Sequence, residues 1–336
     1  MAMDTSMLDG KNLLKEIPQE VKVWFPIPDA GDINFNARIR PERIKLPTKI
    51  INCLCGYVLE CLQKISGYAK PFSDGIVVGL SGGIDSATTA ALCRAALDKT
   101  RYFLKGIILG RGPFGEQGQM NALEYQDVVS AVKMSEDMGI EYQYLDISRI
   151  IGSIEELFPG GGEWEKSGVL PRIRSLLLLQ IADRMNAICA GSTNGTELIL
   201  SAFTVGGPGG HFRPLIDFYK SEVYKLSEIL GVPGYIRSRR SVISELGIYD
   251  EQLYGVGCYV LDPVLRRLSW QKHSPESVAK ELGHSVDWLR KIKNVRIEGE
   301  KGRKMPPQFT VCRTQKITIK PNLIWDRNSY FDNLLG

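Results

Sequence analysis

The sequence predicts an α/β fold in which a doubly wound parallel sheet carries helices on both faces. Short apolar runs such as Gly75 to Leu80 contain β-branched residues and lack polar alternation, which is typical of strands buried on both faces. These runs alternate with stretches of helical period, and this alternation indicates βαβ units. A glycine-rich turn follows the first strand directly, at the position where such sheets bind ligands.

Each element has its own signal. Ile50, Leu54, Val58 and Leu62 repeat at helical spacing and predict the first helix. The helix after the glycine-rich turn is rich in Ala and Leu, and the later strands are short and apolar. The predicted elements are helix 46–65, strand 75–80, helix 87–97, strand 103–109, helix 121–138, strand 142–147, helix 172–187 and a short apolar segment at 188–192.

Three regions are predicted along the chain. Residues 1–45 form an N-terminal extension that is rich in Pro, Asp and Asn and has no sustained period. Residues 46–265 form the α/β domain. After residue 233 the alternation stops and the chain is predicted to be helical to about 294. Residues 266–336, a helical segment and a basic tail, are expected to complete the domain.

Composition narrows the class of protein. The 336 residues are 43% hydrophobic and 24% charged, and the net charge is +4. This mild excess suits ligands that bear phosphate but is too weak and scattered to indicate nucleic acid. The seven cysteines include no Cys-x-x-Cys pair, which favours reduced thiols in a cytoplasmic protein. We expect no signal peptide, because residues 1–15 lack an apolar core. We also expect no membrane span, because the best apolar run, 176–181, is far too short.

The glycine-rich turn, Ser81-Gly82-Gly83-Ile84-Asp85-Ser86, carries the functional argument. Two glycines let the backbone turn sharply and approach a ligand closely. The following helix points its positive end at that ligand, as phosphate sites require. An aspartate beside phosphates makes sense if a metal ion bridges them. The alternative is a plain strand-to-helix turn with Ser and Asp as N-caps.

This turn resembles the pyrophosphate loop of the N-type ATP pyrophosphatases, the PP-loop superfamily whose fold is adenine nucleotide alpha hydrolase-like. Further segments resemble the NAD synthetase family within it. The resemblance covers about residues 46–320. Its segments are Leu170–Arg174, Gly191–Leu198, Phe203–Gly210, Pro214–Lys220, Leu226–Pro233 and Arg303–Pro307.

The resemblance implies roles for particular residues. It implies catalytic roles for Asp85, Glu197 and Lys220, with Asp85 and Glu197 holding Mg²⁺. ATP would bind to Ser81, Gly82, Gly83, Ile84, Asp85, Ser86, Arg111, Thr193 and Lys220. The second substrate would bind to Arg172, Arg174, His211, Lys301 and Arg303. For the residues outside the turn, a capping role or a solvent-exposed charge is the alternative.

Three positions depart from the family's pattern. The aspartate of its Gly-Asp-Gly-Gly loop is Pro208, and an acidic stretch is replaced by residues 237–244, which contain three arginines. Its His-Lys pair corresponds to Lys301-Gly302. In the family these positions lie mostly on the side of the second substrate. The departures therefore bear on the acceptor and not on the use of ATP.

The predicted activity is an ATP-dependent amide-forming ligase. A substrate carboxylate is adenylated, pyrophosphate leaves, and ammonia displaces AMP, with deamido-NAD as the expected substrate and NAD as the product. The sequence offers no glutaminase module, so free ammonia, or ammonia from a separate glutaminase chain, is expected. The resemblance also implies a homodimer.

Three alternatives stay open at this point. The first is a paralogue that amidates a different carboxylate. The second is ATP-dependent sulfur transfer through Cys258 or Cys312. The third is a nucleotide-binding module without turnover.

Overall fold

The computed structural model describes residues 31–302 except 35, 48, 66–69, 71–72, 161–162, 201, 205, 208 and 244–246. Its strands are β1 (Gly75–Gly79), β2 (Phe103–Gly110), β3 (Tyr142–Asp146), β4 (Ala187–Ala190), β5 (Val242–Ile243) and β6 (Ile248–Tyr249). The helices of the α/β part are α1 (Ile50–Lys64), α2 (Ile84–Leu97), α3 (Ala122–Asp137), α4 (Ser148–Leu157), α5 (Glu163–Arg184), α6 (Gly195–Leu200), α7 (Lys220–Ile229) and α8 (Gly234–Arg237). The C-terminal helices are α9 (Asp250–Tyr254), α10 (Cys258–Leu265), a π-helix (Arg266–Trp270), α11 (Pro275–Leu282) and α12 (Val286–Gly302).

The main sheet is parallel and has the strand order β3-β2-β1-β4. The chain moves outward from β1 to β2 and β3 and then returns to place β4 on the other side of β1. This reversal opens a crevice at the carboxyl ends of β1 and β4, where ligands bind in such sheets. The predicted doubly wound parallel sheet is confirmed.

Both faces of the sheet are buried. On β1, Ile76 and Val78 belong to a cluster formed with α1, α2, α3 and α7, whereas Val77 points to the opposite face, toward α5. All three side chains are at most 1% exposed. The uninterrupted apolar run that predicted this strand therefore reflects burial on two faces.

Several boundaries differ from the predictions. Helix α5 begins at Glu163 and runs through Pro171, where a start at 172 was predicted. It ends at Arg184, because Asn186 adopts a left-handed conformation (φ 50°) that a helix cannot continue through. Helix α4 was not predicted, and its ten residues bury one side chain, Ile151.

The C-terminal part is not wholly helical. Strands β5 and β6 form a small antiparallel sheet, with Val242 opposite Tyr249 and Ile243 opposite Ile248. This sheet lies between α8 and α9, within a region that was predicted to be helical. Two-residue strands show too little periodicity to be read from a sequence.

The described part of the N-terminal extension packs against the C-terminal helices. The backbone N–H of Ile39 donates to the carbonyl oxygen of Tyr259 at 2.9 Å, and the side chain of Asn34 donates to the carbonyl of Leu282 at 2.8 Å. Ile39 and Ile44 are buried in the same hydrophobic cluster as α10, α11 and α12. Both ends of the described chain therefore share one core.

No helix in the described ranges is long and apolar enough to cross a membrane.

Candidate active site

The predicted phosphate loop connects β1 to α2. Gly83 is the N-cap of α2, and no side chain caps this end of the helix. The hydroxyls of Ser81 and Ser86 lie 3.0 Å apart, and Ser86 also donates to the carbonyl oxygen of Gly83 at 3.0 Å. Ile84 is buried in the core, so only its backbone can face a ligand. The serines thus fix a turn at the positive end of the helix.

Gly82 requires the absence of a side chain. Its φ is +76°, and a Cβ atom would lie 2.2 Å from the backbone carbonyl oxygen of Asp127 on α3. A side chain here would be strained by the left-handed conformation and would also collide with backbone. The loop therefore rests directly on α3.

Three charged side chains meet at the end of this loop. Asp85, in the first turn of α2, forms an ion pair with Lys220, the first residue of α7. The other carboxylate oxygen of Asp85 accepts a hydrogen bond from the Asn194 amide at 3.0 Å. Asp250, at the start of α9, has a carboxylate oxygen 4.0 Å from Nζ of Lys220. One ammonium thus lies between two carboxylates that come from distant parts of the chain.

Glu197 adds a third carboxylate. It lies in the first turn of α6, where its backbone N–H donates to the side-chain oxygen of Asn194 at 3.0 Å. Burial, followed by repulsion from Asp85, raises the pKa of Glu197 to about 8. Burial also raises the pKa of Asp250. For Lys220, burial alone would lower the pKa, but the carboxylates of Asp85, Asp250 and Glu197 outweigh it and raise the pKa well above its ordinary value.

Glu197, Lys220 and Asp250 line a cavity that is open to solvent. Its lining residues are Asn194, Thr196, Glu197, Lys220, Tyr224, Ser241, Asp250, Glu251, Tyr254, Cys258 and Leu261. The cavity brings together Glu197 and Lys220 from the predicted set and adds Asp250, which the sequence analysis missed. Asp250 follows a hairpin with no motif of its own, so only its position in the fold reveals it.

A buried network holds Lys220 in place. Thr196 accepts a hydrogen bond from the backbone N–H of Lys220 at 2.9 Å and donates to Asp262 at 2.7 Å. Asp262 also accepts from the backbone N–H of Ser221 at 2.8 Å, and burial raises its pKa to about 6. Asp262 was not predicted either. The signal for it is a lone aspartate inside the apolar stretch 260–265.

Other residues predicted for the ATP site lie at neighbouring strand ends. Arg111, directly after β2, forms a bidentate ion pair with Glu124, whose carboxylate also closes the capping box of α3. Thr193 is half-buried in the loop between β4 and α6. A second cavity lies at the carboxyl ends of β1 and β4, and Gly79 and Gly191 contribute to its wall.

The residues predicted for the second substrate are more dispersed. Arg172 is exposed on α5, where it donates to the carbonyl oxygen of Gly168 at 3.0 Å, and Arg174 is half-buried on the same helix. Lys301 lies in the last turn of α12. Arg303 lies outside the described residues, as does Pro208.

His211 has a structural partner. Its Nδ1 atom accepts a hydrogen bond from the backbone N–H of Cys189 at 2.8 Å. The backbone N–H of His211 donates to the carbonyl oxygen of Cys189 at 2.7 Å. Burial lowers the pKa of His211, which favours the neutral ring. These bonds attach the loop around Gly210 to the end of β4.

The donor set of the cluster fits a magnesium ion. Within the described ranges, no three His, Cys, Asp or Glu side chains form a metal site by themselves. An ion at Asp85 and Glu197 would therefore take its remaining ligands from phosphate oxygens and water, as Mg²⁺ does in nucleotide sites. Three carboxylates face one ammonium here, and the pKa of Glu197 is raised first by burial and then by repulsion from Asp85.

The cysteine proposed for sulfur transfer is poorly suited to that chemistry. Cys258 lines the cavity, but burial raises the pKa of its thiol well above the ordinary value. A thiol with a raised pKa is a weak nucleophile, because the thiolate is the reactive form. Cys312 lies outside the described residues.

Comparison with known proteins identifies the family of the chain. The NAD synthase family matches residues 57–306. The chain is 34% identical over 220 residues to the NH3-dependent NAD+ synthetase of Archaeoglobus fulgidus, covering 65% of this chain and 83% of that one. It is 32% identical over 242 residues to the enzyme of the same name from Thermococcus kodakarensis, covering 70% and 90%.

Solved structures share the fold. The NH3-dependent NAD synthetase of Campylobacter jejuni aligns with a TM-score of 0.60 at 24% identity, over 77% of this chain and 96% of that chain. The NMN synthetase of Francisella tularensis aligns with a TM-score of 0.60 at 23% identity, over 77% and 97%. At these identities the likeness concerns the fold alone. The family match spans most of the chain and includes the phosphate loop, Glu197 and Lys220, so the chain belongs to the NAD synthase family.

Proposed function

We propose that the chain is an ATP-dependent, ammonia-using NAD+ synthase that converts deamido-NAD to NAD. The observation that carries this proposal is the ion pair between Asp85 and the buried Lys220 at the end of the glycine-rich turn. Glu197 and Asp250 surround the same ammonium. Relatives more than 30% identical carry the name NH3-dependent NAD+ synthetase, which supports the reaction and the nitrogen donor.

The reaction has two steps. In the first, an oxygen of the substrate carboxylate bonds to the α-phosphorus of ATP while the bond between the α-phosphorus and the bridging oxygen breaks, and pyrophosphate leaves. In the second, ammonia attacks the carbonyl carbon of the acyl-adenylate, AMP leaves, and the nitrogen loses a proton.

The protein's share in this chemistry is positioning and charge. The turn from Ser81 to Ser86 would bind the outer phosphoryl groups with backbone N–H groups at the positive end of α2. Lys220 would supply a fixed positive charge beside them, because its raised pKa keeps it protonated. Arg111 and Thr193 would border the same nucleotide at the ends of β2 and β4.

Mg²⁺ would be held by Asp85 and Glu197. When bound, it would neutralise charge on the phosphate oxygens of ATP. Asn194 orients both carboxylate residues, since it donates to Asp85 through its amide nitrogen and accepts from the Glu197 backbone through its amide oxygen.

The acceptor and the partners complete the proposal. Arg172, Arg174, His211, Lys301 and Arg303 are proposed for the side of deamido-NAD, with ammonia either free or supplied by a separate glutaminase. We propose a homodimer, which would cover the exposed apolar side chains of α4 and its C-cap, Ile150, Leu157 and Phe158. The cysteines of the described ranges are free thiols, which suits a cytoplasmic enzyme.

The test is a coupled assay on the purified chain. Incubation with ATP, Mg²⁺, ammonium and deamido-NAD should produce NAD, AMP and pyrophosphate in equal amounts, and Asp85→Ala should abolish all three. A parallel panel replaces deamido-NAD with other carboxylates. It includes nicotinate mononucleotide, since one of the proteins with this fold is an NMN synthetase. Pyrophosphate release with another carboxylate and none with deamido-NAD would reject the proposal in favour of a different acceptor.

A further inference from the structure

Three arginines lie at the end of α8 and directly after it, and each has a different partner. Arg237 donates to the carbonyl oxygen of Val232 at 3.0 Å and belongs to the turn before its own helix. Arg240 stacks on the ring of Tyr249, 4.1 Å from its centroid, and forms an ion pair with Glu251 at 3.3 Å. Arg239 alone among the three contacts the phosphate loop.

The guanidinium of Arg239 lies beside the first glycine of that loop. Its Nη1 atom is 3.4 Å from the carbonyl oxygen of Gly82, and Nη2 forms an ion pair with the carboxylate of Asp127. The backbone carbonyl of Asp127 is also the group on which Gly82 rests. The loop, α3 and the segment before β5 therefore meet at one point.

Two features of this contact indicate a ligand. The 3.4 Å bond to the Gly82 carbonyl is at the long end of hydrogen bonding, so a better acceptor would replace it at little cost. The side chain is 20% exposed, so the planar fork of donors, which suits phosphate, stays accessible. Lys220 provides the other cation at this loop, on Asp85, three residues further along.

We propose that Arg239 binds the outer phosphoryl groups of ATP and that Asp127 only balances the charge of the guanidinium before the nucleotide arrives. The inference rests on the proposed function in taking the loop as an ATP site. It assigns Arg239 to the nucleotide, whereas the resemblance to the family placed residues 237–244 mostly on the side of the second substrate.

A purely structural role for Arg239 predicts something different. If the ion pair only fastens two segments, breaking it from either end should have the same effect. If Arg239 binds phosphate, removing Asp127 leaves the cation in place and removes a nearby negative charge. The two explanations therefore differ in the expected effect of Asp127→Asn on ATP affinity.

The experiment measures binding of ATP and of AMP to the full chain by isothermal titration calorimetry. Arg239→Ala should weaken ATP binding about tenfold or more and AMP binding by less than about twofold, because it removes a charge-assisted contact to the outer phosphates. The ATP affinity of Arg239→Lys should lie between that of Arg239→Ala and that of the unmodified chain. Asp127→Asn should bind ATP at least as tightly as the unmodified chain. Arg240→Ala, which removes the same charge one residue away, should change ATP affinity by less than about twofold.

Either of two results would overturn the inference. One is ATP affinity in Arg239→Ala within twofold of the unmodified chain. The other is equal weakening of ATP binding in Arg239→Ala and Asp127→Asn, which would assign the pair a structural role. Thermal unfolding of each variant verifies that it is folded, and Arg239→Lys decides the question if the alanine variant is not. A chain that binds ATP through Arg239 but makes no NAD would refute the proposed function and leave this assignment intact.

Discussion

Replacing Gly82 by alanine tests the loop geometry most directly. The new Cβ atom would lie 2.2 Å from the carbonyl oxygen of Asp127, so backbone would have to move by nearly an ångström to reach even a tight contact. The residue would also keep a φ of +76°, which costs a residue other than glycine roughly 1–2 kcal/mol. Overpacking of a close contact adds about 1–3 kcal/mol.

The sum predicts that Gly82→Ala destabilises the protein by about 2–5 kcal/mol, measured as the free energy of unfolding in urea. Relaxation of the loop would lower this cost but would move the N–H groups that face the phosphates, so pyrophosphate release should fall as well.

Gly83→Ala is the matched comparison. Gly83 has a φ of −87°, and its added Cβ would lie 3.4 Å from the hydroxyl of Ser81, an ordinary contact. The free energy of unfolding of Gly83→Ala should differ from that of the unmodified chain by less than about 1 kcal/mol, the scale of a substitution at an N-cap. If the two alanine variants are equally stable and equally active, the argument from the left-handed turn is wrong.

Three further predictions concern the cluster and the shared core. Lys220→Met should lower kcat/KM for ATP at least about 100-fold, because it removes the fixed positive charge beside the phosphates and leaves partly buried carboxylates without their cation. Lys225→Met, on the same helix, should have little effect in the same pyrophosphate assay. Burial lowers the pKa of His284 to about 4, so the unfolded chain takes up a proton first as the pH falls. The free energy of unfolding therefore falls as the pH drops through 6.5, by about 2 kcal/mol at pH 5 relative to neutral pH. Urea unfolding at neutral pH and at pH 5 should show a smaller loss in His284→Asn than in the unmodified chain. Ile39→Ala should destabilise the protein by about 2–4 kcal/mol in urea, and Arg40→Ala by less than about 0.5 kcal/mol, if the N-terminal segment contributes to the core as its burial indicates.

Local patterns were sufficient for much of the sheet. The buried strand at 75–79 and the glycine-rich turn after it are contiguous in sequence, so their apolar run and their two glycines predict both structure and chemistry. Helix α3 was predicted within one residue at each end, because Asn121 and Glu124 form a capping box at its start. Such signals involve residues that are neighbours along the chain, so they can be recognised in a single sequence.

The composition of the site beyond the loop depended on tertiary structure. Asp85 lies 135 residues from Lys220, and Asp127 lies 112 residues from Arg239. Nothing in the local pattern around Asp250 or Arg239 distinguishes them from solvated charges. Only the tertiary structure brings Asp250 to Lys220 and Arg239 to the carbonyl oxygen of Gly82. Periodicity records which face of an element is buried, whereas the partner that covers that face is decided by the topology of the whole chain.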